Sequence, residues 1–149
     1  MQTDKKGISE RKKTYLCRYH NMLQRIDYLK RDIEFCEERA NSIPGPRYGT
    51  DMPRSPNRNL EAPFVKWIYR SMDDKRELDE LEIKSITVKE ETAYFISKLD
   101  NLDLERVLTY RYLDWMSWFL ISRKMYMSVA TVRRLHEKAL EAFNMPDEK

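Results

Sequence analysis

The residues with the clearest capacity for chemistry are basic side chains gathered near the C-terminus. They are Arg123, Lys124, Arg133, Arg134 and Lys138, and between residues 114 and 138 only Asp114 and Glu137 oppose them. Guanidinium and ammonium groups bind phosphate, and arginine also pairs with the edge of guanine. The small residues that precede the two arginines would allow close approach to a base; they are Ser128, Val129, Ala130 and Thr131. These basic and small residues are the candidate DNA-binding site.

Two short helices are predicted to hold these residues. Ser117 precedes an apolar run and can cap a helix over about 118–125, and Ser128 repeats the device for a longer second helix. Behind Ser128 an apolar stripe follows with helical spacing, made of Val132, Leu135, Ala139 and Leu140. Because only Tyr126 and Met127 separate the two helices, the pattern predicts a helix-turn-helix.

The same stretch resembles a known class of DNA-binding domain. The resemblance rests on Leu108, Thr109, Tyr110, Arg111, Tyr112, Leu113, Trp118, Ile121, Ser128, Thr131, Val132, Arg134, Leu135, His136, Ala139 and Leu140. These residues look like region 4 of bacterial sigma factors. More closely, the chain resembles phage late transcription regulators of the ArpU/RinA type, which carry a sigma-like helix-turn-helix behind a helical N-terminal half.

The resemblance implies roles for individual positions. It places buried side chains at Ile121, Met125, Met127, Val132 and Leu135, and a small residue at Ser122 where the helices touch. Arg111 has a sigma-like counterpart that serves structure, so it is not expected to read bases. Tyr126 occupies a turn position that commonly holds glycine with a positive φ. We therefore expect a turn one or two residues longer than the standard form.

The N-terminal part of the chain is predicted to consist of two long helices. Helical spacing of apolar residues runs from about 9 to 41, with repeats of seven typical of a coiled coil, and again from 64 to about 100, with a bend near 85–88. Residues 42–63 hold five of the six prolines, so they form a linker between the helices. The expected architecture is all-α: a long antiparallel hairpin over 1–99, able to form a coiled-coil dimer, then a three-helix DNA-binding domain over 100–149.

Composition excludes several other classes of protein. No stretch approaches the roughly 18 to 20 apolar residues that span a bilayer, and no apolar segment follows the charged N-terminus. We therefore expect a protein of the bacterial cytoplasm without a membrane partner. Cys17 and Cys36 fall on one predicted helix, nearly 30 Å apart at about 1.5 Å per residue, so they are expected to be unpaired thiols.

An enzyme is not expected from this sequence. The two histidines lie in separate helical segments, and Cys17 with His20 lacks further soft ligands to complete a zinc site. Glycine occurs only at positions 7, 45 and 49, which leaves no Gly-rich phosphate loop. The sequence therefore predicts no catalytic residue, no metal site and no cofactor.

The leading hypothesis is a sequence-specific, dimeric transcription regulator that binds double-stranded DNA and is encoded by a phage or prophage. One alternative is an oligomeric DNA-packaging protein similar to the small terminase subunit. Another is a helical interaction module that binds RNA polymerase and no longer touches DNA. The basic cluster at residues 5–13 is expected to be a solvated helix start, with a phosphate-contacting arm as the alternative.

Overall fold

A computed structural model describes residues 2–42 and 63–146. Five α-helices follow one another: α1 (Gln2–Ser42), α2 (Val65–Ser97), α3 (Leu102–Leu108), α4 (Trp118–Met125) and α5 (Val129–Ala142), with a π-helical segment (Thr109–Leu113) after α3. No strand occurs within the described ranges, so the all-α class is confirmed there. The predicted proline-rich linker lies outside the described residues except at its two ends. No described helix combines the length and apolarity needed to cross a bilayer.

Helix α1 begins earlier than the sequence predicts. The expected start near Ser9 was wrong, because the helix runs from Gln2 and passes through Gly7. Asp4 lies in the first turn, where a negative charge interacts favourably with the helix dipole. The second long helix continues from Val65 through residues 85–88, where a bend was expected, to Ser97.

The chain divides into two compact units. One comprises Met1–Gln24 and Ile83–Lys149, and the other comprises Arg25–Glu82. This division cuts both long helices, whereas the sequence places the functional boundary near residue 100. That functional boundary stays a prediction.

In the unit formed by Arg25–Glu82, segments of α1 and α2 pack against each other. The α1 segment buries Ile26, Leu29, Ile33 and Cys36, which recur three or four residues apart. Ion pairs flank this seam, and they join Arg25 to Glu77, Lys30 to Glu82, Asp32 to Arg70 and Glu37 to Lys75. Partners early on α1 lie late on this part of α2, so the two segments run antiparallel. Exposed ion pairs contribute about 0 to 1 kcal/mol each, so the apolar seam supplies most of the stability.

The same unit holds a pair of neighbouring carboxyl groups. Asp32 accepts hydrogen bonds from the Arg70 guanidinium at 2.9 and 2.7 Å. Burial and the adjacent Asp32 raise the pKa of Asp74 to about 6, whereas hydrogen bonding to Asp74 and Arg70 lowers the pKa of Asp32. Below about pH 6 the two carboxyl groups therefore share one proton, as close like charges require.

The other unit is built around two clusters of buried apolar side chains. The larger consists of Leu16, Ile96, Leu108, Tyr112, Ala139, Leu140 and Phe143, and the smaller of Val107, Ile121 and Val132. Ile96 belongs to the larger cluster, and Leu99 packs at its edge. Lys12 fixes α1 beside the end of α5, since its Nζ donates to the carbonyl oxygens of Leu140 and Glu141 at 2.7 and 3.2 Å.

Capping side chains set the limits of α4 and α5. The Ser117 hydroxyl accepts from the N–H of Leu120 at 3.3 Å, and the Ser128 hydroxyl accepts from the N–H of Thr131 at 3.2 Å. Both caps are those that the sequence predicts. Each satisfies a backbone donor that the first helical turn leaves without a partner.

The turn between α4 and α5 contains Tyr126, Met127 and the cap Ser128. Tyr126 itself adopts the left-handed conformation, with φ 55° and ψ 39°, and the N–H of Met127 donates to the carbonyl of Ser122 at 3.0 Å. The expected lengthening of the turn was wrong, because the tyrosine takes the conformation that normally favours glycine. For a residue with a Cβ this conformation costs roughly 1 to 2 kcal/mol.

Tyr126→Gly should stabilise the protein by about 0.5 to 1 kcal/mol. Glycine adopts the left-handed conformation without the Cβ clash, and the tyrosine side chain is 96% exposed, so little buried contact is lost. Urea denaturation followed by circular dichroism measures the change. Tyr69→Gly is the matched control, because Tyr69 is also exposed but lies within α2, where glycine should cost about 1 kcal/mol. Equal destabilisation by both substitutions would contradict the assignment of strain to Tyr126.

Candidate nucleic-acid interface

Helix α5 has one buried stripe and one exposed flank. Val132, His136, Ala139 and Leu140 are buried, and Leu135 is half-buried. The exposed candidate residues on this helix and its cap are Ser128, Ala130, Thr131, Arg133, Arg134 and Lys138, while Val129 is half-buried. The structure therefore holds α5 by its apolar side and leaves both arginines accessible to solvent.

The helix cap occupies two of the candidate residues. The hydroxyls of Ser128 and Thr131 lie 2.8 Å apart and share a hydrogen bond, in addition to the bond from the Thr131 N–H to Ser128. Their polar atoms are thus engaged at the start of α5. Ala130 and Val129 offer only small apolar surface there. Among the candidate residues of α5, the long basic side chains carry the groups that can reach out to a partner.

The basic residues of α4 lie over aromatic rings. The Arg123 guanidinium is 5.7 Å from the centroid of Phe119, and the Lys124 ammonium is 4.4 Å from that of Tyr110. Both side chains are exposed. Such cation–π contacts contribute about 0.5 to 1 kcal/mol at exposed sites and restrict the side chains to fewer rotamers. The two charges are therefore held on the surface of α4 close to its last turn.

Arg111 fixes the segment that leads into α4. Its guanidinium donates to the carbonyl of Met116 at 3.0 Å and lies 4.5 Å from the ring centroid of Trp118. Arg133, on α5, approaches the same ring at 5.8 Å. Arg111 is half-buried and committed to these contacts, in agreement with the structural role expected for it. The Trp118 indole thus lies beside both the half-buried Arg111 and the exposed Arg133.

A buried polar pair lies beneath α5. The Tyr112 hydroxyl and the Nε2 atom of His136 share a hydrogen bond of 2.8 Å, and the Trp118 ring meets the His136 ring edge-on at 4.9 Å. Burial, together with the charges of Lys13 and Arg111, lowers the pKa of His136 to about 4. Burial also raises the pKa of Tyr112. Both groups are therefore neutral near pH 7, and each satisfies the other.

Sequence reasoning did not single out this pair or the stacking that accompanies it. His136 lies four residues after Val132, on the buried stripe of α5, and that spacing was the available signal. Trp115 has a positive φ of 52°, and its ring stacks on His20 at 3.5 Å with an angle of 3° between the planes. Helical periodicity gives no indication of such contacts, since they join residues of different elements.

Among the residues that the structure describes, one group of potential metal ligands lies close together. Asp32, Cys36 and Asp74 place one ligand atom each within 4.8 Å of one another. Arg70, however, already forms an ion pair with Asp32 at 2.7 Å. Burial also raises the pKa of the Cys36 thiol, which disfavours the thiolate that a metal ion would need. The arrangement is that of a hydrogen-bonded ion-pair cluster. Both cysteines are free thiols, as expected for residues spaced along one helix.

Comparison of the chain with family models, with curated proteins and with solved structures gave no match. The assignment of function therefore depends on the residues and their arrangement.

The contribution of His136 to folding stability should fall in mild acid. The folded-state pKa of about 4 lies below the ordinary value near 6.5, so the unfolded chain binds the proton first. The contribution of neutral His136 is complete above about pH 6.5 and is lost as the pH falls towards 4. We expect it to fall by about 2 kcal/mol between about pH 7.5 and pH 5.

Urea denaturation of the wild type and of His136→Gln at the two pH values tests this expectation. Glutamine cannot take up a proton but can still bond to Tyr112, so the variant should lose less stability than the wild type on acidification. His20→Gln serves as the control: burial lowers the pKa of His20 as well, but by less than that of His136, so this variant should change the pH dependence less. An identical pH dependence in wild type and His136→Gln would contradict the assignment.

Proposed function

We propose that this chain is a sequence-specific double-stranded DNA-binding protein that regulates transcription, with α5 as the helix that enters the major groove. The observation that carries the proposal is the two-sided character of α5. One side is buried in the core through Val132, His136, Ala139 and Leu140, and the other presents Arg133 and Arg134 to solvent. A major groove about 12 Å wide admits an α-helix presented in this way.

In the proposed complex, α4 and α5 act as a helix-turn-helix, with α3 and the π-helical segment behind them. Helices α4 and α5 each pack on this supporting layer, α3 directly on α5 and the π-helical segment on α4. The resemblance to sigma region 4 and to phage late regulators of the ArpU/RinA type supports a role in transcription. The protein would then act in the cytoplasm of the bacterial host, where promoter DNA is found.

Roles within the interface follow from reach and charge. Arg133 and Arg134 are the candidates for guanine or phosphate contact, with Lys138 one turn further along α5. Ala130 and Val129 permit close approach to base edges, while Ser128 and Thr131 hold the helix start. Arg123 and Lys124 would contact flanking phosphate, since they are exposed on the preceding helix.

We further propose that the protein binds DNA as a homodimer formed through α2. Ile83 and Ile86 are 71% and 59% exposed, and Tyr94, on the same helical stripe, is 57% exposed. Large apolar side chains arranged in a stripe on one helix favour packing against a second helix of the same kind. A two-fold dimer would match paired half-sites. The alternative to dimerisation is that the long helices present a surface to RNA polymerase.

Arg133→Ala/Arg134→Ala should weaken binding to duplexes selected from the encoding genome. Each lost base contact should cost about 1 to 3 kcal/mol, and each lost phosphate contact should reduce the salt slope by about 1. Fluorescence anisotropy at several fixed salt concentrations measures both effects. Arg31→Ala/Arg76→Ala is matched in charge and also removes two exposed arginines, but from α1 and α2. If affinity and salt slope of the Arg133/Arg134 variant equal those of the control, α5 is not the DNA-binding surface.

Ile83→Glu/Ile86→Glu should convert the dimer into a monomer. Two carboxylates at a buried helix–helix contact would oppose association through desolvation and mutual repulsion. Sedimentation velocity reports the assembly state directly. Lys84→Gln/Lys89→Gln changes the net charge equally at exposed positions off the stripe and should leave a dimer. A monomeric wild type would disprove the dimer, and a ring of many subunits would instead favour a DNA-packaging role.

A further inference from the structure

A groove of about 1050 Å³ lies between the N-terminal turns of α1 and helix α5. The cations that line it are Lys5, Lys6, Lys12, Lys13, Arg111 and Arg133, and the anions are Glu10, Glu137 and Glu141. Positive charge is therefore in excess. Groups of this kind attract polyanions, and the low-dielectric walls of a groove focus the potential.

The lysines on the α1 side share one helical face. Lys5 and Lys12 are seven residues apart, as are Lys6 and Lys13, so each pair lies on adjacent parts of the same side of the helix. Arg11, by contrast, is exposed and does not line the groove. Lys12 is engaged with the last carbonyls of α5, and Lys13 forms an exposed ion pair with Glu10 at 3.0 Å. Lys5 and Lys6 lie beyond this anchor and are exposed to solvent.

Arg133 forms part of the opposite wall of the groove. It is also one of the two arginines assigned to DNA under the proposed function, so the groove and that DNA-binding flank are continuous. The floor beneath them contains Tyr112 and His136, whose polar atoms are bonded to each other at 2.8 Å. The floor therefore offers a base edge few hydrogen-bonding groups that are not already paired. The lysines on the α1 wall favour a phosphodiester backbone, which needs cations and no specific pairing, while the α5 wall carries Glu137 and Glu141 beside Arg133.

We propose that the first turns of α1 form a phosphate clamp: Lys5, Lys6 and Lys13 contact the phosphodiester backbone of the duplex whose major groove receives α5. This inference rests on the proposed function, because Arg133 must face the same DNA. Helix α1 would hold the backbone on one side of α5, while Arg123 and Lys124 would hold it on the other. The lysines would add affinity for any duplex without changing which sequence is preferred.

Lys5→Gln/Lys6→Gln tests the clamp by comparison with Arg11→Gln/Arg31→Gln. Both variants remove two positive charges from exposed positions of α1, but only the first removes them from the groove. The probe is a mixed-sequence duplex of about three helical turns. The lysine variant should bind on the order of tenfold more weakly at low salt, and its salt slope should be smaller by about 2. The arginine variant should show neither change, and circular dichroism should show the same helix content in both.

The possible results separate this inference from the function on which it rests. A loss confined to the lysine variant, together with a loss in Arg133→Ala/Arg134→Ala, supports the clamp. If the lysine variant binds like the wild type while the Arg133/Arg134 variant is weakened, the clamp is disproved and the proposed function stands. Equal losses in the Lys5/Lys6 variant and in the Arg11/Arg31 control would also disprove the clamp, since they would show a general charge effect. If the Arg133/Arg134 variant retains wild-type binding, both proposals fail.

Discussion

The arrangement of the C-terminal helices depends on the burial of one side of α5. Val132 joins Val107 and Ile121 in one apolar cluster, while Ala139 and Leu140 join Leu108 and Phe143 in another. Because both clusters include α5, rotation of this helix about its axis would expose apolar surface at two places at once. Fully burying one such side chain contributes about 1.5 to 3 kcal/mol, more than an exposed cation–π contact or ion pair. The apolar stripe thus decides which residues of α5 face solvent, and the charges on the opposite flank follow from it.

One buried hydrogen bond lies among these apolar side chains and restricts the ways in which α5 can pack. His136 is only 7% exposed, yet its Nε2 has the Tyr112 hydroxyl as a partner at 2.8 Å. An unpartnered polar group in the same place would cost about 1 to 3 kcal/mol, so any packing of α5 that separates the two side chains is disfavoured. The π-helical segment Thr109–Leu113 carries both Tyr112 and Arg111. It therefore supplies the partner of His136 and, through Arg111, the contact that positions the start of α4.

Capping residues and helical periodicity were sufficient to predict much of α4 and α5 from the sequence, but not the contacts between different elements. Ser117 and Ser128 each precede an apolar run, and the cap they form depends only on the next three residues, so both helix starts were predictable. The stripe of Val132, Leu135, Ala139 and Leu140 was predictable from the 3.6-residue repeat.

The Tyr112–His136 bond and the His20–Trp115 stack were not predictable, because they join elements whose relative placement no local pattern encodes. The early start of α1 was missed because Gly7 lowers helix propensity without preventing a helix that is continued by many later turns. DNA binding by the exposed basic residues depends on a partner molecule, and it stays a prediction.

Two aromatic residues with positive φ lie on either side of α4, and their different surroundings distinguish two uses of strain. Trp115 has a φ of 52°, but its ring stacks on His20 at 3.5 Å and lies near the Arg111 guanidinium, so contacts within the protein offset the backbone cost. Tyr126 has a φ of 55° and a side chain that is 96% exposed, so within the described chain its ring recovers little by packing. A glycine would serve the turn at lower cost. The tyrosine ring therefore adds exposed surface beside the start of α5 at the expense of stability.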